Sequence, residues 1–242
     1  MKYVYGIIKN QPNQKSIPAL NTRGMQEKAI ETVVGKGVSA LVSETKCKKM
    51  SLKKENIIVH DAVLKEAMIV YRGILPVSFG TIVAETELKK GLLLPKDKDL
   101  LKMLKKVEGK VEVNIKGFWS DFKALIRRLR EKDPVVSSLE LPEHPTYFET
   151  VEIGKALEGA LNRQRDEYRE ELTKSVKNSA DDIKEKPLIA DKMIFNLALL
   201  INGESEKKLQ QKVKEFKQRH AEELMVWYSG PVPPFHFVSW KK

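Results

Sequence analysis

The chain of 242 residues has a single cysteine, Cys47, so it can form no intramolecular disulfide, and a reducing compartment is the simpler expectation. It has no long hydrophobic run. The longest, Met193 to Ile201, is interrupted by Asn196 and falls far short of the ~20 residues that a membrane span needs. The N-terminal apolar stretch, Tyr3 to Ile8, is shorter than the ~7–15 residues of a signal-peptide core. The expectation is a cytoplasmic protein with no membrane span. Histidine is scarce: His60, His144, His220 and His236 are far apart, and none stands four residues from another His or from Cys47. That excludes a zinc-binding pattern. No GxxxxGK[ST] loop and no GxSxG elbow occurs. Aromatic residues make up 7% and form no RNA-binding signature. With no nucleophile, base and orienter assembled in the sequence, no catalytic residue and no cofactor is expected.

What the chain does have is charge and a core. Hydrophobic residues make up 41% of it, too many for a disordered chain. Charged residues reach 32%, above the usual ~25%. There are 44 basic and 33 acidic residues, giving a net charge of +11. This balance suits nucleic acid, an acidic partner or an anionic surface. Most of the lysines interleave with glutamates, as on solvated helix faces. The Lys-rich stretches Lys46 to Lys54 and Lys207 to Lys217 keep a basic nucleic-acid-binding protein as the alternative function. The carboxylate pairs Glu170-Glu171, Asp181-Asp182 and Glu222-Glu223 have basic residues three or four positions away and read as surface ion pairs. Cys47, between lysines, reads as a loop cysteine. Gly35-Lys36-Gly37 resembles half of a dinucleotide loop but precedes a strand, so it reads as a helix C-cap.

Periodicity gives an α+β protein. Tyr3 to Ile8 predicts a strand, and Asn10 to Thr22, with Pro12 and Pro18, a loop. Met25 to Val34 carries Met25, Ala29, Ile30, Val33 and Val34 at helical spacing and predicts a helix ended by Gly35 and Gly37. Val38 to Ser43 predicts a buried strand. Lys53 to Tyr71 predicts a helix whose apolar face is Ile58, Val59, Ala62, Val63, Ala67, Met68 and Val70. Ile74 to Thr81 predicts a strand that Pro76 confines to an edge or a bulge. Thr86 to Leu94 and Leu100 to Val107 predict short helices around Pro95. Val111 to Phe118 alternates as a half-buried strand. Residues 1–118 thus read as an N-terminal domain, an open sheet with helices on one face.

Residues 119–149 read as a helix, Asp121 to Lys132, and a linker containing Pro134, Pro142 and Pro145. Residues 150–242 read as a C-terminal α+β domain that opens with a long helix over 150–182. Its apolar positions Ile153, Leu157, Leu161, Tyr168, Leu172, Val176, Ala180 and Ile183 form one narrow, coiled-coil-like stripe. Lys192 to Ile201 predicts a strand, Glu204 to His220 a helix and Leu224 to Tyr228 a strand. The end reads as a Pro-rich turn, Tyr228-Ser229-Gly230-Pro231, leading through Phe235 to Val238 as a last strand.

Four segments, in order, carry a resemblance. They are Tyr3-Val4-Tyr5-Gly6-Ile7, Ala40-Leu41-Val42-Ser43, Leu75-Pro76-Val77-Ser78-Phe79-Gly80-Thr81, and Ser229-Gly230-Pro231-Val232-Pro233-Pro234-Phe235-His236-Phe237-Val238. Together they resemble the gas vesicle protein F and L family. His60 stands ahead of the Leu-Pro-Val segment as a His does there, and Gly109-Lys110-Val111-Glu112-Val113 is similar to its Gly-x-x-Glu strand. The pattern departs at Ser78, where the family often has Arg, and at Val232, where it often has an aromatic.

The resemblance implies two α+β domains and an accessory role in gas vesicle formation. It implies that the partner is the small hydrophobic shell protein, with other accessory proteins beside it, and that the protein is a minor component of the vesicle wall. It attaches no enzymatic activity and no cofactor. A shell protein with a large apolar face needs partners to cover it before it polymerises. The candidate contact surfaces are the long helix and the Pro-rich end, where the candidate residues are Trp227, Tyr228, Pro231, Pro233, Pro234 and Phe235 and prolines hold aromatics at low entropic cost.

Overall fold

The computed structural model describes residues 1–10, 18–139 and 146–239. Pro12, Pro142, His144 and Pro145, parts of the expected loop and linker, lie outside the described residues. The chain is α+β, with two antiparallel sheets and helices packed on them. It divides into two compact units. One comprises Met1–Glu112 with Leu200–Gly203 and Gly230–Lys242. The other comprises Val113–Leu199 with Glu204–Ser229.

The first sheet has the order β2-β3-β1-β4, where β1 is Lys2–Lys9, β2 is Glu31–Val34, β3 is Val38–Glu44 and β4 is Leu75–Pro76. β5, Ile82–Val83, also pairs with β1. Pro76 therefore sits at the sheet edge, as a residue without an N–H must. A bulge between Val4 and Gly6 shifts the register with β3. Tyr3, Tyr5 and Ile8 then share one cluster despite their odd and even numbers. That cluster meets α1, Lys54–Val70, through Val63, Leu64 and Ala67. Val4 faces Leu88 and Leu92 of a π-helical turn, Leu88–Leu93. This turn links a short helix, α2 (Glu85–Glu87), to α3 (Asp97–Val107). The sheet is thus covered on both faces, not on one. This explains why β1 and β3 read as continuous apolar runs.

Other expectations change in this unit, and the strand expected over Ile74 to Thr81 is shortened to Leu75–Pro76. The helix expected over Met25 to Val34 is a 3-10 turn, Met25–Glu27, followed by β2. Gln26 and Glu27 take left-handed φ of 57° and 58°, which no α-helix continues. Thr32, Val33 and Val34 are β-branched and pair with β3. Gly35-Lys36-Gly37 is accordingly a hairpin turn and not a helix cap, with the Gly35 N–H donating to the Val38 carbonyl at 2.9 Å. The buried face of α1 is His60, Val63, Leu64 and Ala67, while Ile58 and Val70 are exposed.

The strand expected to end the N-terminal domain, β6 (Lys110–Trp119), belongs to the second sheet, whose order is β7-β8-β6-β9. Here β7 is Asp182–Glu185, β8 is Met193–Asn202 and β9 is Leu224–Val232. β8 is buried on both faces over Met193 to Ile201. Asp121 caps α4, Phe122–Lys132, by accepting from the Ala124 N–H. Pro134 opens α5, Pro134–Ser137, instead of lying in a linker, because Asp133 caps it by accepting from the N–H groups of Val135 and Val136. The long helix α6 runs Tyr147–Val176, begun by a Thr146/Glu149 capping box. It stops before Ala180 and Ile183, and Ile183 lies on β7. Only Ile153, Ala160, Leu172 and Val176 of α6 are buried, in keeping with one narrow stripe. α7, Glu206–Arg219, follows β8.

Candidate interaction surfaces

β9 alternates cleanly at first. Leu224 and Val226 are buried while Met225 and Trp227 point out, 45% and 60% exposed. The alternation follows from the period-2 geometry of a strand with one face in water. The Trp227 ring lies 5.0 Å from that of Phe118 on β6, tilted by 48°. Phe118, Met225 and Trp227 thus form an outward apolar patch at the edge of the sheet. Tyr228 is half-buried, and burial, helped by the charge of Glu206, pushes its hydroxyl up to about 12.

The remaining candidate residues fall in the other compact unit. The expected turn at Tyr228 to Pro231 is instead the continuation of β9 to Val232, with the Gly230–Pro231 peptide cis and Gly230 at φ 144°. Pro231 fits there because β9 is an edge strand and needs no further ladder donor. Pro233 and Pro234 are buried and Pro231 is exposed. The expected last strand is a 3-10 turn, Phe235–Phe237, with Phe235 39% exposed and Phe237 buried. Two prolines before the turn remove the donors a strand would require. Of the six candidates, then, Trp227, Pro231 and Phe235 present surface, Tyr228 partly, and Pro233 and Pro234 are core.

The same turn closes on Glu112. The His236 N–H donates to Glu112 Oε2 at 2.9 Å, and His236 Nδ1 lies 2.6 Å from Oε1. The Glu112 side chain is 1% exposed. A buried carboxylate needs such partners. The Gly-x-x-Glu and Pro-Phe-His segments are therefore two halves of one contact. Sequence reasoning named both and could not pair them.

His60 plays a similar part. Its Nδ1 lies 2.9 Å from the Tyr3 hydroxyl and its Nε2 lies 3.1 Å from the Val77 carbonyl. The carbonyl can only accept, so Nε2 carries the proton and Nδ1 accepts from Tyr3. The Tyr3 oxygen accepts in turn from the Gly80 N–H at 3.1 Å. Burial lowers the pKa of His60, against the raising effect of the Val77 bond. Neutral His60 thereby holds the Leu-Pro-Val-Ser-Phe-Gly-Thr segment along β1. Gly80, at φ 84°, makes the turn. Beside this segment lies a mainly apolar pocket of 460 Å³ lined by Val4, Val77, Thr81, Val83, Leu88 and Leu92, among others.

In the second unit, Glu223 accepts from Arg128 and from the Tyr168 hydroxyl. Burial works to raise its pKa, but these two partners hold it below the usual carboxylate range. Burial and the Glu223 carboxylate push the Tyr168 hydroxyl up. Glu223 is thus a tertiary brace and not a local surface pair. Glu171 reaches Arg219 at 2.6 Å and His220 at 3.0 Å. Among the described residues no group of three or more His, Cys, Asp and Glu could hold a metal ion, and no helix is long and apolar enough to cross a membrane.

Comparison with known proteins places these features in a family. The family model described as "Gas vesicle synthesis protein GvpL/GvpF" matches residues 1–239. Gas vesicle protein F of Dolichospermum flosaquae is 28% identical over 244 residues, covering 98% of this chain and 97% of the relative. Gas vesicle protein F1 of Halobacterium salinarum is 24% identical over 239 residues, covering 98% and 92%. The crystal structure of GvpF from Anabaena sp. PCC7120 superposes with a TM-score of 0.83 at 27% identity, covering 100% of this chain and 97% of that one. The fold is shared with GvpF from Microcystis aeruginosa, at a TM-score of 0.81 and 24% identity, over 98% of each chain.

Proposed function

The chain belongs to the gas vesicle synthesis protein GvpL/GvpF family, and from that premise we propose that it is a non-enzymatic assembly factor that binds the small hydrophobic shell protein. In this reading it works in the cytoplasm and stays with the vesicle wall as a minor component, beside other accessory proteins. The observation that carries the reading is Trp227. This large side chain is 60% exposed on an edge strand, with Met225 beside it and Phe118 stacked on it. Exposed aromatic anchors of this kind supply contact area at little entropic cost. β9 is also an edge strand, and the outer backbone groups of an edge strand can pair with another chain. An apolar shell segment that has not yet polymerised can use both.

The test is co-purification of the shell protein with the full chain, with deletion of the gene in a vesicle-forming host. Association together with loss of vesicles on deletion supports the reading. No association, or normal vesicles after deletion, ends it.

A further inference from the structure

The outer side of α1 has a feature that shell binding through β9 does not use. The core face of this helix is His60, Val63, Leu64 and Ala67. At about 100° per residue, the point opposite that face falls between Ile58 and Ile69. Both are well exposed, at 55% and 75%. A surface helix normally places its most polar residues there. Here Ile58, Ala62, Lys65 and Ile69 follow one another at intervals of four, three and four residues. That is the seam spacing of a helix that packs against a second helix. The one charge in the row, Lys65, is held aside by Asp61 at 2.7 Å, and its methylene stem can still cover apolar surface.

The chain that leads into the N-terminal end of α1 is strongly basic. Lys46, Lys48, Lys49, Lys53 and Lys54 are all exposed, and none makes an ion pair with a described residue. The first turn holds one acidic side chain, Glu55. Lys53 occupies the N-cap and makes no side-chain capping hydrogen bond, so the first N–H groups of α1 are not satisfied by a cap. Leu52, 81% exposed, lies among these lysines. Lysines, open N–H groups and the helix dipole all favour negative charge at this end.

We propose that the outer face of α1 is a docking site for an amphipathic helix of a partner protein. The partner helix carries an aliphatic seam that covers Ile58 and Ile69 and acidic residues that lie against Lys46 to Lys54. Charge complementarity selects this occupant. A second copy of this chain would bring basic clusters together on a protein of net charge +11. The site goes beyond the shell-binding reading and uses a different face of a different unit.

The experiment measures binding of fluorescent heptad peptides to the full chain by anisotropy. One peptide has Leu and Ile on its seam and Glu on its flanks, and its twin has Lys in place of Glu. The acidic peptide is expected to bind saturably and the basic twin to fail. Ile58→Gln with Ile69→Gln is expected to weaken binding roughly tenfold or more at every salt concentration. Lys53→Glu with Lys54→Glu is expected to weaken it only at low salt. Circular dichroism melts check that the variants fold, which exposed positions allow.

No saturable binding of the acidic peptide overturns the proposal, as does equal binding of the twin or indifference to the Ile substitutions. Binding to phosphatidylglycerol vesicles but not to peptide assigns the face to an anionic membrane and also overturns it. Self-association abolished by the Ile substitutions does the same in favour of a second copy. Shell-protein co-purification is expected to be unchanged in the Ile variant, so failure of either reading is separable from failure of the other.

Discussion

The Tyr3 hydroxyl donates to His60 Nδ1 across 2.9 Å, and with the His60–Val77 and Gly80–Tyr3 bonds this joins β1 and α1 to the segment from Leu75 to Thr81. Tyr3→Phe removes this bond and leaves the Gly80 N–H without its acceptor. We expect a loss of about 1–3 kcal/mol, read from urea unfolding at neutral pH.

His60 also makes the unit acid-sensitive. Its pKa in the folded protein lies below the ordinary 6.5, so below that pH the unfolded chain binds more protons than the folded one. Stability from this group is fully present above the ordinary value and is lost as pH falls from 6.5 toward the folded pKa. His60→Gln is expected to cost stability at neutral pH and to flatten the pH dependence below pH 6.5. A parallel pH profile in the variant would show that another group titrates.

Gly117 has no room for a side chain. A Cβ there would sit 2.5–2.8 Å from three atoms of the Phe195 ring. Gly117→Ala should therefore destabilise by about 1–3 kcal/mol. Phe195→Leu in the same chain should restore part of the loss, and a double-mutant cycle measures the coupling.

Glu223 is held ionised by Arg128 and Tyr168. Glu223→Gln should cost about 1–2 kcal/mol at pH 7. Because the folded pKa is depressed, the wild-type advantage is present above the ordinary 4.5 and disappears as pH falls through the folded value. Unfolding curves of the two chains should therefore converge on acidification below pH 4.5.

Trp227→Ala should leave the melting temperature almost unchanged, since the side chain is 60% exposed. It should lower shell-protein recovery in the co-purification assay several-fold. Phe235→Ala, on the other unit, is the comparison that decides whether the C-terminal turn shares in binding. Equal recovery from both variants and wild type would remove these aromatics from the interface.

The sequence was most legible where one period held without interruption. β3, α1, α4, β8 and α7 came out with their ends nearly right. It failed where two periods fit the same letters. Met25, Ala29, Ile30, Val33 and Val34 satisfy a helix, yet two left-handed residues and a β-branched tail make a turn and a strand. On α1 the apolar residues outnumber the core positions, so periodicity could not tell the packed face from the outward one. The assignment of β6 to the second sheet depends on pairing with β8 and β9, which lie far along the chain and leave no local mark. In the candidate surface, Trp227 and Phe235 were legible as aromatics beside prolines. Their separation by the buried Pro233 and Pro234 was not, because burial of a proline depends on neighbours remote in sequence.

The carboxylate of Glu112 sets an order of events. It belongs to a unit whose last piece begins at Gly230, and its partner there is His236. A ribosome has delivered the whole first sheet long before that partner exists. Until residues 230–236 are made, the Glu112 carboxylate lacks this contact, and its burial lacks one of its compensations. A chain cut short of Gly230 never gains this contact. Synthesis of residues 230–236 thereby adds a contact to the unit whose sheet was made first.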